Sequence, residues 1–180
     1  YAAFTEYLGF RAYNGEYKLM GLAAYGKKDP ELIEKVGRII QLDPKDPHGY
    51  IIDPTYIHYG EHTYSQRFTD KLVTLFGKPP RISTEDYSTW HEDLSFAVQY
   101  HLELAVTKLV EWGVEKTGIS KVTIGGGVGL NVKMNSKIFD LPTVTDVWAN
   151  PLCSDGGAAL GAALAVAHKE TGVRPKKLVR

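Results

Sequence analysis

Lys121-Val-Thr-Ile-Gly-Gly-Gly-Val-Gly-Leu-Asn131 and, further on, Ser154-Asp-Gly-Gly-Ala-Ala-Leu-Gly161 are the stretches from which the fold is read. The β-branched run 121–124 predicts a short strand, and the glycines after it let the chain turn sharply. Such a turn also lets a phosphate or ribose approach backbone N–H groups. Each glycine turn is expected to open a helix, the first near Val132 to Phe139 and the second running to about His168. A strand over Val144 to Trp148 lies between them, giving the strand–helix alternation of an α/β fold. Two turns of this kind point to one nucleotide site. Asp155 stands where the last helix begins, a position equally suited to a capping side chain, a ribose contact or a metal ligand.

Working back toward the start, Leu94, Val98, Leu102, Ala105, Leu109 and Trp112 recur every three or four residues, which predicts a long core helix from His91 to Gly118. Asp29-Pro30-Glu31 has the cap, proline and acid of a helix start, and Leu32, Ile33, Val36, Ile39 and Ile40 give that helix one buried face to about Gln41. The opening, Tyr7-Leu-Gly-Phe10, then Asn14-Gly15 and Tyr17-Lys-Leu-Met20, predicts a hairpin. Lys18 to Gly26 is rich in small residues, which favour close approach of backbone to backbone or to a ligand. Prolines at 44, 47, 54, 79 and 80 predict turns and short strands, with one helix from roughly Gln66 to Phe76. Residues 42–90 read as an insertion within a single domain spanning 1–180.

With 43% hydrophobic and 23% charged residues, the 180-residue chain can bury a sizeable core. Twenty-one basic and twenty-one acidic residues cancel, so the composition gives no support for binding nucleic acid or an anionic membrane. The apolar stretch around Ala158 to Ala167 is too short to span a bilayer. The single cysteine, Cys153, excludes an internal disulfide framework and fits a reducing, cytoplasmic setting. The start at Tyr1, without a methionine, leads us to expect an excised piece of a longer protein.

The first turn is not a Walker A loop, because no Gly-Lys-Ser/Thr follows the glycines, and Leu130 stands where a Gly-x-Gly-x-x-Gly fingerprint needs its last glycine. Its glycines serve either packing or a nucleotide. Asn131 either contacts ribose or phosphate or caps the following helix. His58 and His62 are four apart, but Gly60 between them argues against a shared helical face, and solvated loop histidines are the expectation. Cys153 has no second cysteine or nearby histidine and reads as a loop residue. His91 and His101 fall on the long helix, and neither has an evident nucleophile beside it. Lys18 can neutralise phosphate charge, although one lysine beside a glycine is a slight signal.

Taken together, Tyr7-Leu-Gly-Phe10 with Glu16-Tyr-Lys-Leu-Met-Gly-Leu-Ala-Ala-Tyr-Gly26, Gly125-Gly-Gly-Val-Gly-Leu-Asn131 and Ser154-Asp-Gly-Gly-Ala-Ala-Leu-Gly161 resemble, in order, the motifs of the NodU/CmcH carbamoyltransferase family. The resemblance implies an actin-like ATPase (ribonuclease H-like, sugar-kinase-like) fold, of which this chain would be the C-terminal lobe of the transferase domain. It implies transfer of a carbamoyl group from carbamoyl adenylate, made from carbamoyl phosphate and ATP by a separate C-terminal domain, to a hydroxyl-bearing small molecule or sugar. By position in the motifs, Gly126, Gly127 and Asn131 would line the adenylate, with Lys18 and Gly21 at its edge. Asp155 would ligate a divalent metal, iron by the same resemblance. The family's His-x-x-x-His ligands would lie upstream of Tyr1, so that role does not pass to His58 and His62. Gly129 stands where the family usually has alanine, a change expected to enlarge the turn. Two other readings stay open from the residues: a small-molecule kinase of the same fold, and a non-catalytic nucleotide-binding module.

Overall fold

The computed structural model describes residues 1–46, 49–58 and 66–173. The chain runs through α1 (Ala2–Tyr7), α2 (Glu16–Leu22), α3 (Pro30–Gly37), β1 (Ile40–Leu42), β2 (Tyr50–Ile52), α4 (Asp70–Phe76) and α5 (Thr89–Thr117). It continues through β3 (Lys121–Ile124), α6 (Val132–Phe139), β4 (Asp146–Ala149) and α7 (Gly156–Thr171), with short 3-10 turns at Pro54–Tyr56 and Gly127–Leu130. The class is mixed α/β, rich in helix, with one antiparallel strand pair, β1–β2, and one parallel pair, β3–β4.

Local chemistry sets these boundaries. The Asp29 carboxylate accepts from the Leu32 N–H at 3.0 Å and Pro30 occupies the first turn of α3, so that helix starts where a cap and a proline coincide. It stops at Gly37, short of Gln41, because Ile40 to Leu42 pairs with Tyr50 to Ile52 as a strand. The expected hairpin near the start is instead two helices. Glu16 accepts from the Tyr13 and Gly15 N–H groups at 2.7 and 3.1 Å, which makes Asn14-Gly15 the entry to α2. Leu19 and Ala23, one helical turn apart, are then buried while Gly21 between them is exposed, whereas a strand would put all three on one face.

The core lies where the first half of α5 meets α1, α2, α3 and α4: Phe4, Tyr7, Leu19, Leu32, Val36, Phe68, Leu72, Phe76, Leu94 and Val98. Tyr7 meets Phe68 edge-on at 5.3 Å and Phe4 meets Phe76 at 5.8 Å, geometries that aromatic quadrupoles favour. The 42–90 segment therefore supplies part of this core through Tyr56, Phe68, Leu72 and Phe76. Its helix is shorter than read from the sequence, since Phe68 instead forms a bridge with Ile57 and α4 begins at Asp70. Farther along α5, Leu109 and Trp112 are 44% and 39% exposed, so the apolar periodicity continues past the packed region. No residue of α7 is buried. Among the described residues, no helix is long and apolar enough to cross a membrane.

Two features explain why the Tyr7–Phe10 and Lys18–Gly26 blocks are built as they are. The buried Arg81 guanidinium donates to the carbonyls of Leu8 (2.7 Å), Ile82 (3.0 Å) and Glu85 and to the Tyr87 hydroxyl, clamping the turn after α1. The end of the second block lies against the backbone of α5 at Glu92.

His101, also on α5, is buried, with Nε2 placed 2.8 Å from the Ile33 carbonyl. Burial holds its imidazole below the ordinary value of 6.5, opposed in part by that hydrogen bond. Below about pH 6.5 the unfolded chain takes up a proton that the folded chain resists, so stability present above that pH is lost as pH falls. Denaturant midpoints at pH 7.5 and 5.5 should therefore differ, and by less in His101→Gln. An unchanged difference in that variant would remove His101 from the account.

Candidate functional site

The site follows from the parallel pairing of β3 with β4, in register from Lys121 opposite Asp146 to Ile124 opposite Ala149. Parallel strands joined through α6 end at the same edge, so the 125–131 turn and the 150–155 loop emerge side by side. The Asn150 N–H donates to the Ile124 carbonyl at 3.0 Å, tying the two exits together. Beneath them the buried Cys153 thiol points at the Asn150 carbonyl, 2.6 Å away. A β-carbon added at Gly129 would lie 2.7 Å from that sulfur. Cys153 is thus the contact between the two turns, which its reading as a loop residue missed. The glycine at 129 makes room for the sulfur.

Gly126 adopts φ +76° and ψ 176°, a region essentially restricted to glycine. It opens the 3-10 turn, which closes with the Gly129 N–H donating to the Gly126 carbonyl at 3.0 Å. Gly125, Gly126 and Gly127 are exposed, and a β-carbon on any of them would meet nothing within 4 Å. Among the described residues, the N–H groups of Gly126, Gly127 and Val128 have no acceptor. Consecutive N–H groups of this kind, on exposed residues and without an acceptor, fit an anionic oxygen.

Asn131 takes the capping alternative in this structure. Its side-chain oxygen accepts from the Met134 N–H at 2.9 Å, starting α6. The same amide exchanges two hydrogen bonds, each 2.9 Å, with the Gln99 amide on α5. Asp155 is the converse case: it precedes α7, yet its side chain makes no capping bond and is exposed. Its carboxylate is therefore available at the edge where the glycine turn emerges.

Lys18 and Gly21 belong to α2, which packs on α1 and α5. The Lys18 ammonium lies 5.9 Å from the ring centres of both Phe10 and Tyr17, and Gly21 faces open space. His58 is extended, its N–H donating to the Arg67 carbonyl at 2.8 Å, while His62 lies outside the described residues. His91 sits in the first turn of α5, where Nδ1 accepts from the Ser88 N–H at 3.0 Å. Burial, with the Arg81 and Lys78 charges, holds its imidazole below the usual histidine range. Gln99 is the residue that sequence reasoning missed. Its signal was a glutamine beside Val98 on the apolar face of a core helix, where an amide needs a polar partner.

Two glycine turns at the carboxyl edge of adjacent parallel strands, one with free N–H donors and the other carrying an exposed carboxylate, mark this chain as a mixed α/β protein with its two turns at the edge where ligands of parallel sheets usually sit. More particularly, it belongs to the carbamoyltransferase family: the family model described as Carbamoyltransferase N-terminus matches residues 1–164. An uncharacterised protein of Synechocystis is 33% identical over 169 residues, covering 94% of this chain and 27% of that protein. Nodulation protein NolNO of Sinorhizobium fredii is 31% identical over 178 residues, covering 94% of this chain and 22% of its own length. Nodulation protein NolO of Bradyrhizobium diazoefficiens is 28% identical, with 94% and 28% covered. The chain thus spans about a quarter of the length of these curated relatives.

Proposed function

We propose that this chain is part of an O-carbamoyltransferase and that the 125–131 turn and Asp155 line its adenylate cleft. The observation that carries this reading is the side-by-side exit of the two turns, with the N–H groups of exposed Gly126, Gly127 and Val128 lacking an acceptor among the described residues. Family membership supports carbamoyl transfer as the chemistry. The donor is carbamoyl adenylate, formed from carbamoyl phosphate and ATP elsewhere in the longer protein. A hydroxyl of a small molecule or sugar attacks the carbamoyl carbon, the bond from that carbon to the phosphate oxygen breaks, AMP departs, and the hydroxyl proton is released. Backbone N–H groups at 126–128 hold the phosphate and offset the charge that grows on it as the bond breaks. Lys18 and Gly21 stand at the edge of the nucleotide, and Asn131 acts by fixing the turn.

Asp155 is proposed as one ligand of a divalent metal, iron by family resemblance. Among the described residues, no three His, Cys, Asp or Glu side chains gather to hold an ion, so a metal requires ligands from beyond them. One carboxylate does not make the site, and no step of the reaction is assigned to it. The same reading makes the chain one lobe of an actin-like cleft, with residues 42–90 as an insertion. The rest of the protein supplies the facing lobe and the adenylate-forming domain, and the cytoplasm is the setting.

The test supplies the complete protein with ATP, carbamoyl phosphate and a panel of alcohols and weighs the products by mass spectrometry. A carbamoylated alcohol with release of AMP is expected. A phosphorylated alcohol with ADP would mean a kinase, and nucleotide binding without any product would mean a non-catalytic module.

A further inference from the structure

We propose that Gln99 is a positioning residue for the glycine turn, acting through Asn131 to set the direction in which the 126–128 N–H groups point. The inference rests on the nucleotide reading above and deepens it.

Gln99 is 2% exposed and sits on the packed half of α5, where a bare amide would be costly. All four of its hydrogen-bonding positions are filled. Nε2 donates to Glu103 at 2.8 Å and to the Asn131 oxygen at 2.9 Å, while Oε1 accepts from the Tyr1 hydroxyl at 2.8 Å and from Asn131 Nδ2 at 2.9 Å. The orientation of each amide is dictated by chemistry. The Met134 N–H can only donate, so the Asn131 atom facing it is the oxygen. A Glu103 carboxylate can only accept, so the Gln99 atom facing it is the nitrogen. Turning either amide over would set donor against donor or acceptor against acceptor.

This locked pair meets the glycine turn at its last residue. Asn131 closes the 3-10 segment through its own N–H, which donates to the Val128 carbonyl at 3.0 Å, and opens α6 through its carbonyl and its side chain. Asn135 adds a second tie, donating from Nδ2 to the Gly129 carbonyl at 2.8 Å. The pitch of the turn is therefore registered against α5, 32 residues earlier in sequence, through one side-chain pair. A small rotation of Asn131 would re-aim the N–H groups three to five positions before it.

The experiment titrates a non-hydrolysable analogue of carbamoyl adenylate into the complete protein by calorimetry and records the thermal midpoint of each variant; ATP itself would also read the separate adenylate-forming domain. Gln99→Met keeps length and apolar packing but removes all four hydrogen bonds. It should weaken analogue binding roughly 10-fold. A merely structural role would lower the fraction of sites that bind and leave the affinity of those sites alone. Gln99→Glu places a carboxylate against Glu103, and its affinity for the analogue should improve between pH 8 and 6, as protonation restores a donor; the wild type should not share that trend. If Gln99→Met does not fold, the pH trend in Gln99→Glu decides the matter, and its absence overturns the proposal. Unchanged affinity in folded Gln99→Met also overturns it. Gly127→Pro, which deletes one N–H of the turn, separates the two levels. Loss of affinity there without loss in Gln99→Met sinks the positioning role alone, whereas no loss in either sinks the nucleotide reading and this inference together.

Discussion

Asp155→Ala in the complete protein should reduce carbamoyl transfer by about 100-fold or more, with the fold intact. The two halves of that expectation have separate causes. The side chain is exposed and makes no bond to the start of α7, so its removal should change unfolding free energy by no more than about 0.5 kcal/mol. Its position is another matter: the carboxylate stands at the sheet edge where the glycine turn emerges, and on the proposed reading it would be one ligand of a divalent metal there, so that its loss would weaken the hold on the ion. Thermal unfolding, bound-metal analysis and turnover on the same sample test both halves. Wild-type metal content together with wild-type turnover would remove Asp155 from the site, and a large drop in melting temperature would mean a structural role.

The second large effect is on stability. Gly26→Ala should cost about 3 kcal/mol, because its new β-carbon would overlap the Glu92 carbonyl oxygen and come within 2.9 Å of Phe96 Cβ. Backbone is on the other side of that contact, so no side chain can swing away to relieve it. Gly21, five residues earlier in the same block, is the control. It lies within α2 with nothing within 4 Å of an added β-carbon, and Gly21→Ala should be neutral or stabilising by up to about 1 kcal/mol. Denaturant unfolding of the two variants should therefore move in opposite directions or differ widely. Equal midpoints would show that the second block does not depend on close approach to α5.

The contrast between these glycines shows what a single sequence reveals and what it hides. The strand 121–124, the helix 132–139 and the long helix were legible because each is written in local terms: β-branched residues, a cap, a three-to-four repeat. The strand–helix alternation was read in the same way, and the parallel pairing of β3 with β4 is what such an order builds. Small residues between Lys18 and Gly26 were correctly linked to close packing, but which glycine needed it depended on Glu92, 66 residues away. The opening was misread as a hairpin because Asn-Gly is a strong turn signal, whereas the reach of Glu16 back to Tyr13 and Gly15 is what starts a helix there. Arg81 and Gln99 were overlooked for a related reason. A basic or amide residue is ordinarily solvated, and only the carbonyls and amides brought to it by the fold show that it is buried and fully bonded.

The claim on which the rest depends is that the 126–128 amides bind nucleotide phosphate, and Gly127→Pro addresses it at the level of one hydrogen atom. Proline suits the first position of a helical turn, and Gly126, at ψ 176°, already has the extended ψ favoured before a proline. A β-carbon at Gly127 would meet nothing within 4 Å. The turn should persist while one donor disappears. Calorimetric titration of a non-hydrolysable carbamoyl adenylate analogue into the complete protein should then show affinity lowered by about 10-fold or more at unchanged melting temperature. Wild-type affinity in the folded variant would contradict the account.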